Sequence, residues 1–224
     1  MKKIKYIFTV LVIVLVSIVF CNFFKARFYE NKVLKQIIQR LEAESRIAEV
    51  LVTNVQYDEV EKKQNTTIKF LEYNTAGKPL APKYFTFSGN VIQFQSLVVR
   101  FDDIHIKKAD NLRGKSAYLF WKVFMLCGKN TQEYDITRVN QVPEGYKIEG
   151  DKTEFEKKLW KQFWHYALDN KEARKEGIKN AQIEAPGAMF VPGMLYTVKI
   201  EHDGGMRIDS SLLPSILKGE KIPV

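Results

Sequence analysis

Hydrophobic positions change period several times along the chain, and each change predicts a different element. The first pattern is a continuous run, "YIFTVLVIVLVSIVFCNFF", nineteen residues from Tyr6 to Phe24 without a charge. At about 1.5 Å per helical residue it comes close to the roughly 30 Å hydrocarbon thickness of a bilayer. Enclosing such a run in a domain of this size would leave almost no polar face for water, so it predicts a transmembrane helix bounded by Tyr6 and Phe24. A cleaved signal peptide requires small residues before the cut, whereas Val19, Phe20, Phe23 and Phe24 are bulky. Lipoprotein processing at Cys21 meets the same obstacle, because Phe20 precedes it. Residues 1–24 therefore read as an uncleaved anchor.

Beyond the run, "NKVLKQIIQRLEAESRIAEVLV" places Leu34, Ile38, Leu41, Ser45, Ala48 and Val52 at alternating spacings of four and three. This is the spacing of a coiled-coil seam, sustained over fewer than three heptads. Residues 25–49 are expected to form a juxtamembrane helix, either a short stalk that pairs two copies or an amphipathic helix packed on its own domain.

From Val50 the period becomes two. In "VLVTNVQYDEV", Leu51, Thr53, Val55 and Tyr57 share a face, and in "TTIKFLEY" Ile68 and Phe70 lie opposite Leu71 and Tyr73. Pro79 and Pro82 interrupt the pattern, since neither can donate a ladder hydrogen bond. Alternation resumes with Phe85 and Phe87, Ile92 and Phe94, and later Tyr134 and Ile136. β-Branched and aromatic residues at this spacing predict antiparallel strands with one buried face over residues 50–150.

After "QVPEGYKIEGDK" the period becomes helical. Thr153 and Glu156 have capping-box spacing, and Phe155, Leu159, Phe163 and Ala167 recur every four residues beside Trp160, Trp164 and Leu168. Acidic Glu154 and Glu156 at the start, Arg174 and Lys175 near the end, and Gly177 as terminator suit a helix. Its wide apolar stripe is expected to cover a sheet. A strand with Tyr196, Val198 and Ile200 on one face follows, and Asp203-Gly204-Gly205 turns the chain back on itself. The sequence thus predicts a β-rich α+β fold: a transmembrane helix and a juxtamembrane helix, then an antiparallel sheet forming a barrel or sandwich. Residues 151–224, an amphipathic helix and a hairpin, pack on that same domain.

One stretch offers a competing reading. "NLRGKSAYLFWKVFMLCGKN" contains Gly-Lys-Ser, but Ala109 stands where a phosphate-binding loop has its first glycine, and "AYLFWKVFML" carries Lys122 as its single charge. Without a strand before and a helix after, the motif lacks the backbone geometry that cradles phosphate. Strand, glycine turn, strand is the expected arrangement.

Charge alters the picture only once it is divided. The net charge of +9 suggests a nucleic-acid partner, yet residues 1–40 hold eight Lys/Arg and one acid, leaving 27 basic against 25 acidic residues for the rest. A basic collar near anionic headgroups accounts for the excess, and the nearly neutral body lacks the electrostatic drive for nucleic-acid binding. Lys2, Lys3 and Lys5 precede the apolar run, while Lys25, Arg27, Lys32, Lys35 and Arg40 follow it. Short "MKK" tails stay cytoplasmic and have a bacterial character, which places the body outside the cytoplasm. Two cysteines, Cys21 in the run and Cys127 beyond a strand, cannot form an internal disulfide in this arrangement. The body must be held by its core.

Candidate chemistry is sparse. Asp103 and His105 fall on one side of "RFDDIHIKK" with Asp102 opposite, and no third ligand stands at metal-binding spacing. His165 shares its helix side with Lys158, Lys161, Asp169 and Glu172, and His202 precedes a turn. There is no G-x-S-x-G, and Cys127 has only Lys129 nearby. The sequence therefore assigns no catalytic, cofactor or metal residue. It points to a single-pass membrane protein of the cell envelope with an extracytoplasmic interaction or scaffold domain and no enzymatic activity. Its expected partners are the bilayer, a membrane or envelope protein, and a second copy of itself through Leu34, Ile38, Leu41, Ala48 and Val52. The alternatives are a membrane-surface enzyme using Asp103 and His105, or a domain that binds an apolar ligand such as a lipid.

Overall fold

The computed structural model describes residues 13–25, 46–60, 62–101, 116–128, 130–147, 154–168, 178–201 and 205–215. The chain divides into two compact units, Met1–Gln39 and Arg40–Val224. In the first, residues 13–25 form helix α1. Among the described residues no helix is long and apolar enough to cross a membrane, and residues 6–12 of the apolar run lie outside them.

The second unit is a β-rich α+β body of two antiparallel sheets. Its strands are β1 (Arg46–Asp58), β2 (Lys63–Glu72), β3 (Lys83–Phe87), β4 (Val91–Phe101), β5 (Ser116–Cys127), β6 (Asn130–Asp135), β7 (Ile178–Glu184), β8 (Gly187–Met189), β9 (Met194–Ile200) and β10 (Met206–Leu212). One sheet runs β10-β9-β1-β2-β3, and the other runs β6-β5-β4-β7 with β8 also paired to β4. β7 and β8 lie along the same side of β4, separated at Ala185 and Pro186, where the Phe94 amide donates to the Pro186 carbonyl at 3.1 Å. The hairpin β9–β10 joins the first sheet through β1, while β7 and β8 join the second. Residues 178–212 thus supply strands to both sheets.

Each sheet turns one face into a shared core. β1 contributes Ala48, Val50 and Val52; β2 Ile68 and Phe70; β3 Phe85 and Phe87; β4 Ile92, Phe94 and Val98; β5 Tyr118, Phe120, Val123 and Met125; and β9 Tyr196, Val198 and Ile200. Period-two burial follows from the pleat, which sends successive side chains to opposite faces. Two β-bulges change the phase. The β1–β2 register shifts between Val52 and Asn54, and the β4–β5 register shifts at Gln95/Ser96, so Tyr118 and Phe120 point inward before the second shift and Val123 and Met125 after it.

The second sheet's other face buries Leu97, Val99, Ala117 and Leu119. Helix α2 (Glu154–Leu168) lies against it, with Trp160, Trp164 and Ala167 buried. Trp164 meets Trp121 of β5 at 6.3 Å between ring centroids, and its indole N–H donates to the Gln141 carbonyl at 2.8 Å.

Several expectations hold. The alternations at Ile68/Phe70, Phe85/Phe87, Ile92/Phe94 and Tyr196/Val198/Ile200 are the buried faces of β2, β3, β4 and β9. The Gly-Lys-Ser stretch leads into a strand: β5 begins at Ser116, ends at Cys127 and turns through Gly128, with φ of 59°, into β6. Other expectations are corrected. β1 begins at Arg46, so Ala48 and Val52 are core residues of a sheet and do not form a helical seam. On β1 the even positions through Val52 are buried, and the bulge at Thr53 breaks the face read as Leu51, Thr53, Val55 and Tyr57: Val55 shifts to the side of buried Thr66, and both Val55 and Tyr57 are exposed. Leu34, Ile38, Leu41 and Ser45 lie outside the described residues.

Candidate functional site

Two features stand apart from ordinary sandwich packing. The first is α1. Ile13, Val14, Leu15, Val16, Ile18, Val19, Phe20, Phe23 and Phe24 are each 52% to 62% exposed, so apolar side chains cover the helix on every side. Its polar residues are Ser17, Asn22 and the terminal Lys25; Ser17 donates its hydroxyl to the Ile13 carbonyl at 2.9 Å, and the Phe20 and Phe24 rings, one turn apart, meet at a tilt with centroids 4.5 Å from each other. A helix with apolar side chains on every side and its one charge, Lys25, at its end is suited to lipid or to the interior of a large protein. Of the two sequence-derived ends of the anchor, Phe24 is an exposed residue of α1, and Tyr6 lies outside the described residues.

The second feature is a charged cluster at the start of β1. Arg46 occupies an even, inward position of the strand, and the β1–β2 register brings Glu72 beside it, since Ala48 is the Cα partner of Glu72. The Arg46 Nη2 and Glu72 Oε1 atoms form a short ion pair, with side chains 1% and 11% exposed. A 3-10 turn, Glu144–Tyr146, closes over them. Arg46 Nη1 donates to the Gly145 carbonyl at 3.5 Å, and the guanidinium carbon stands 5.0 Å from the centroid of the Tyr146 ring.

Tyr146 is itself fixed by β5. Its hydroxyl donates to the Tyr118 carbonyl and accepts from the Tyr118 amide, both at 3.1 Å. Gly145 is required by space. A Cβ added there would stand 1.8 Å from Arg46 Nη2, so any side chain would push the guanidinium off its partners.

The electrostatics follow from burial. Desolvation pushes the Glu72 carboxyl above its ordinary range, and the Arg46 charge and hydrogen bond offset only part of that rise. Burial likewise raises the Tyr146 hydroxyl, with Arg46 again acting in opposition. Arg46 Nε is buried without a hydrogen-bond partner among the described residues. The cluster ties the first residue of β1 to β2 and to the segment leading into α2, and its chemistry is that of a packed structural ion pair.

The remaining sequence candidates do not converge. Asp102, Asp103, His105 and His202 lie outside the described residues. His165 is exposed on α2. Cys127 is the last residue of β5, half-buried, with its sulfur 3.5 Å from the Ser88 hydroxyl. Among the described residues no group of three His, Cys, Asp or Glu side chains is placed to hold a metal ion.

Sequence reasoning missed the Arg46–Glu72–Tyr146 cluster. The signal in the sequence is Arg46 and Glu72 on the core-facing phase of their strands, which the helical period running through Leu41, Ser45 and Ala48 obscures. Compared with known proteins, the chain matches no family model, no curated protein and no solved structure.

Proposed function

We propose that this chain is a single-pass membrane protein whose N-terminal apolar run lies in the bilayer and holds the two-sheet body outside the cytoplasm, where it binds another envelope component or itself. The observation carrying the reading is the exposed, predominantly apolar surface of α1, whose residues 13–24 form the C-terminal part of an uncharged run of nineteen residues. Fully burying one large aliphatic or aromatic side chain is worth about 1.5–3 kcal/mol. Nine such side chains on one helix make a lipid surroundings far more favourable than water. The basic residues on both flanks, Lys2, Lys3 and Lys5 before and Lys25 and Arg27 after, suit the headgroup layers. The reading gives the body a binding role and no catalysis.

Orientation is tested by fusing a reporter that is active only outside the cytoplasm to Val224 of the full chain, with a cytoplasm-specific reporter as its counterpart. The extracytoplasmic reporter is expected to be active. Activity from the cytoplasmic reporter alone would overturn the proposed location of the body.

A further inference from the structure

The four edges of the two sheets differ in how they resist pairing. β3 has five residues, begins at Lys83 and follows Pro79 and Pro82. β6 has six residues and carries Glu133 and Asp135. The β7–β8 edge is interrupted at Ala185 and Pro186. Short strands, prolines, charges and interruptions are the devices that keep an edge from recruiting another strand. β10 has seven residues and no proline, its two charges Arg207 and Asp209 are of opposite sign where those of β6 are alike, and it pairs with β9 from Met206 to Leu212 without a register shift. No strand lies on its outer side among the described residues.

The direction of its free backbone groups follows from two hydrogen bonds. The Glu201 amide donates to the Gly205 carbonyl and the Leu213 amide to the Gly193 carbonyl, each at 2.8 Å. Hydrogen-bonded pairs alternate along an antiparallel ladder. Arg207, Asp209 and Ser211 therefore direct their N–H and C=O toward β9, and Met206, Ile208, Ser210 and Leu212 direct theirs away from it.

We infer that β10 is a self-association edge, which pairs antiparallel with β10 of a second copy about a two-fold axis through Ile208. The inference names a partner for the binding role proposed above and rests on that reading to this extent, while its geometry does not depend on the anchor. Charge selects the register. With the axis at Ile208, Arg207 lies opposite the second copy's Asp209, and symmetry makes that pair twice. With the axis at Asp209 or at Arg207, like charges meet at the centre, which is unfavourable between directly opposed residues. With the axis at Ser210, neither charge gains a partner.

In the chosen register, Ile208 pairs with its own counterpart, and Met206 pairs with the counterpart of Ser210, in both directions. All are positions whose backbone groups point outward. Arg207 already lies 3.1 Å from Glu201 and 2.9 Å from Asp209 within its own chain, so the side chains stand on the sheet's outer face as cross-strand pairing requires.

The test uses the full chain in detergent micelles, with mass determined by sedimentation equilibrium across micromolar concentrations. The parent is expected to dimerise. Ser210→Pro removes an N–H that β9 does not use, at an exposed position, and is expected to give monomers with unchanged thermal unfolding. Arg207→Asp and Asp209→Arg should each weaken the dimer about tenfold. The double variant R207D/D209R restores opposite charges across the axis and should recover parental affinity. A monomeric parent, a Ser210→Pro variant that remains dimeric, or a double variant no better than either single one would overturn the inference. A failure here leaves membrane retention untouched, so it is distinguishable from a failure of the anchor.

Discussion

Replacing Glu72 by alanine is expected to destabilise the body by about 3–5 kcal/mol, because it leaves the Arg46 guanidinium buried without its counter-charge. The site allows little escape. The Arg46 side chain is 1% exposed, and its other partners are the Gly145 carbonyl and the face of Tyr146. Urea unfolding of the full chain in detergent, followed by tryptophan fluorescence, gives the difference between parent and variant. An effect below about 1 kcal/mol would mean that water reaches Arg46 and that the cluster is not sealed, since solvent-exposed pairs contribute at that level.

The upward shift of the Glu72 carboxyl adds a second expectation. Arg46 does not fully offset the cost of burying that charge, so removing both charges together should be tolerated. Arg46→Met combined with Glu72→Leu is expected to match the parent or exceed it in stability. The pH dependence has the corresponding sign. A carboxyl whose pKa is higher in the folded chain contributes stability that is complete below its unfolded value, near 4.5, and is lost as pH rises through the folded value. The double variant should lack this dependence.

The second large effect is expected at Phe70. Its ring lies at the meeting point of the two sheets, stacked on Phe94 at 5.6 Å and edge-on to Phe120 at 5.5 Å, with Phe85 at 6.4 Å. Phe70 belongs to the first sheet, whereas Phe94 and Phe120 belong to the second. Phe70→Ala removes both the burial of a ring 1% exposed and the contacts that register one sheet on the other. A cost of about 3–5 kcal/mol is expected. Tyr84→Ala, at a 42% exposed position on the neighbouring strand, is the control and should change stability by roughly 0.5 kcal/mol or less. Equal effects at the two positions would contradict a core shared between the sheets.

Much of the fold is legible in the sequence where a strand has one wet face and no bulge. Ile68 and Phe70, Phe85 and Phe87, and Tyr196, Val198 and Ile200 announce their buried faces by simple alternation. Legibility fails where two periods coincide. Ala48 and Val52 are four residues apart, a spacing that keeps side chains together on a helix and on a strand alike. The helical pattern of Leu34, Ile38 and Leu41 consequently extends in sequence past Arg46, where the strand has already begun.

Bulges cause the second kind of failure. The extra residue at Thr53 inverts the phase of β1, so a face drawn through Leu51 and Val55 joins residues from two sides of the sheet. The Arg46 cluster was illegible for a different reason. Arg46 and Glu72 are 26 positions apart, and Gly145 is 99 from Arg46; each looks like a surface or turn residue until strand register brings them together. The β10 edge was legible only as half of a hairpin, since its unpaired side is a property of sheet order.

The proposed location of the body requires that the apolar run, Tyr6 to Phe24, be held in lipid. Membranes from cells producing the full chain, washed in alkaline carbonate and separated by ultracentrifugation, test this directly. The chain is expected in the pellet and should be released only by detergent. Recovery of the intact chain in the carbonate supernatant would contradict the anchor.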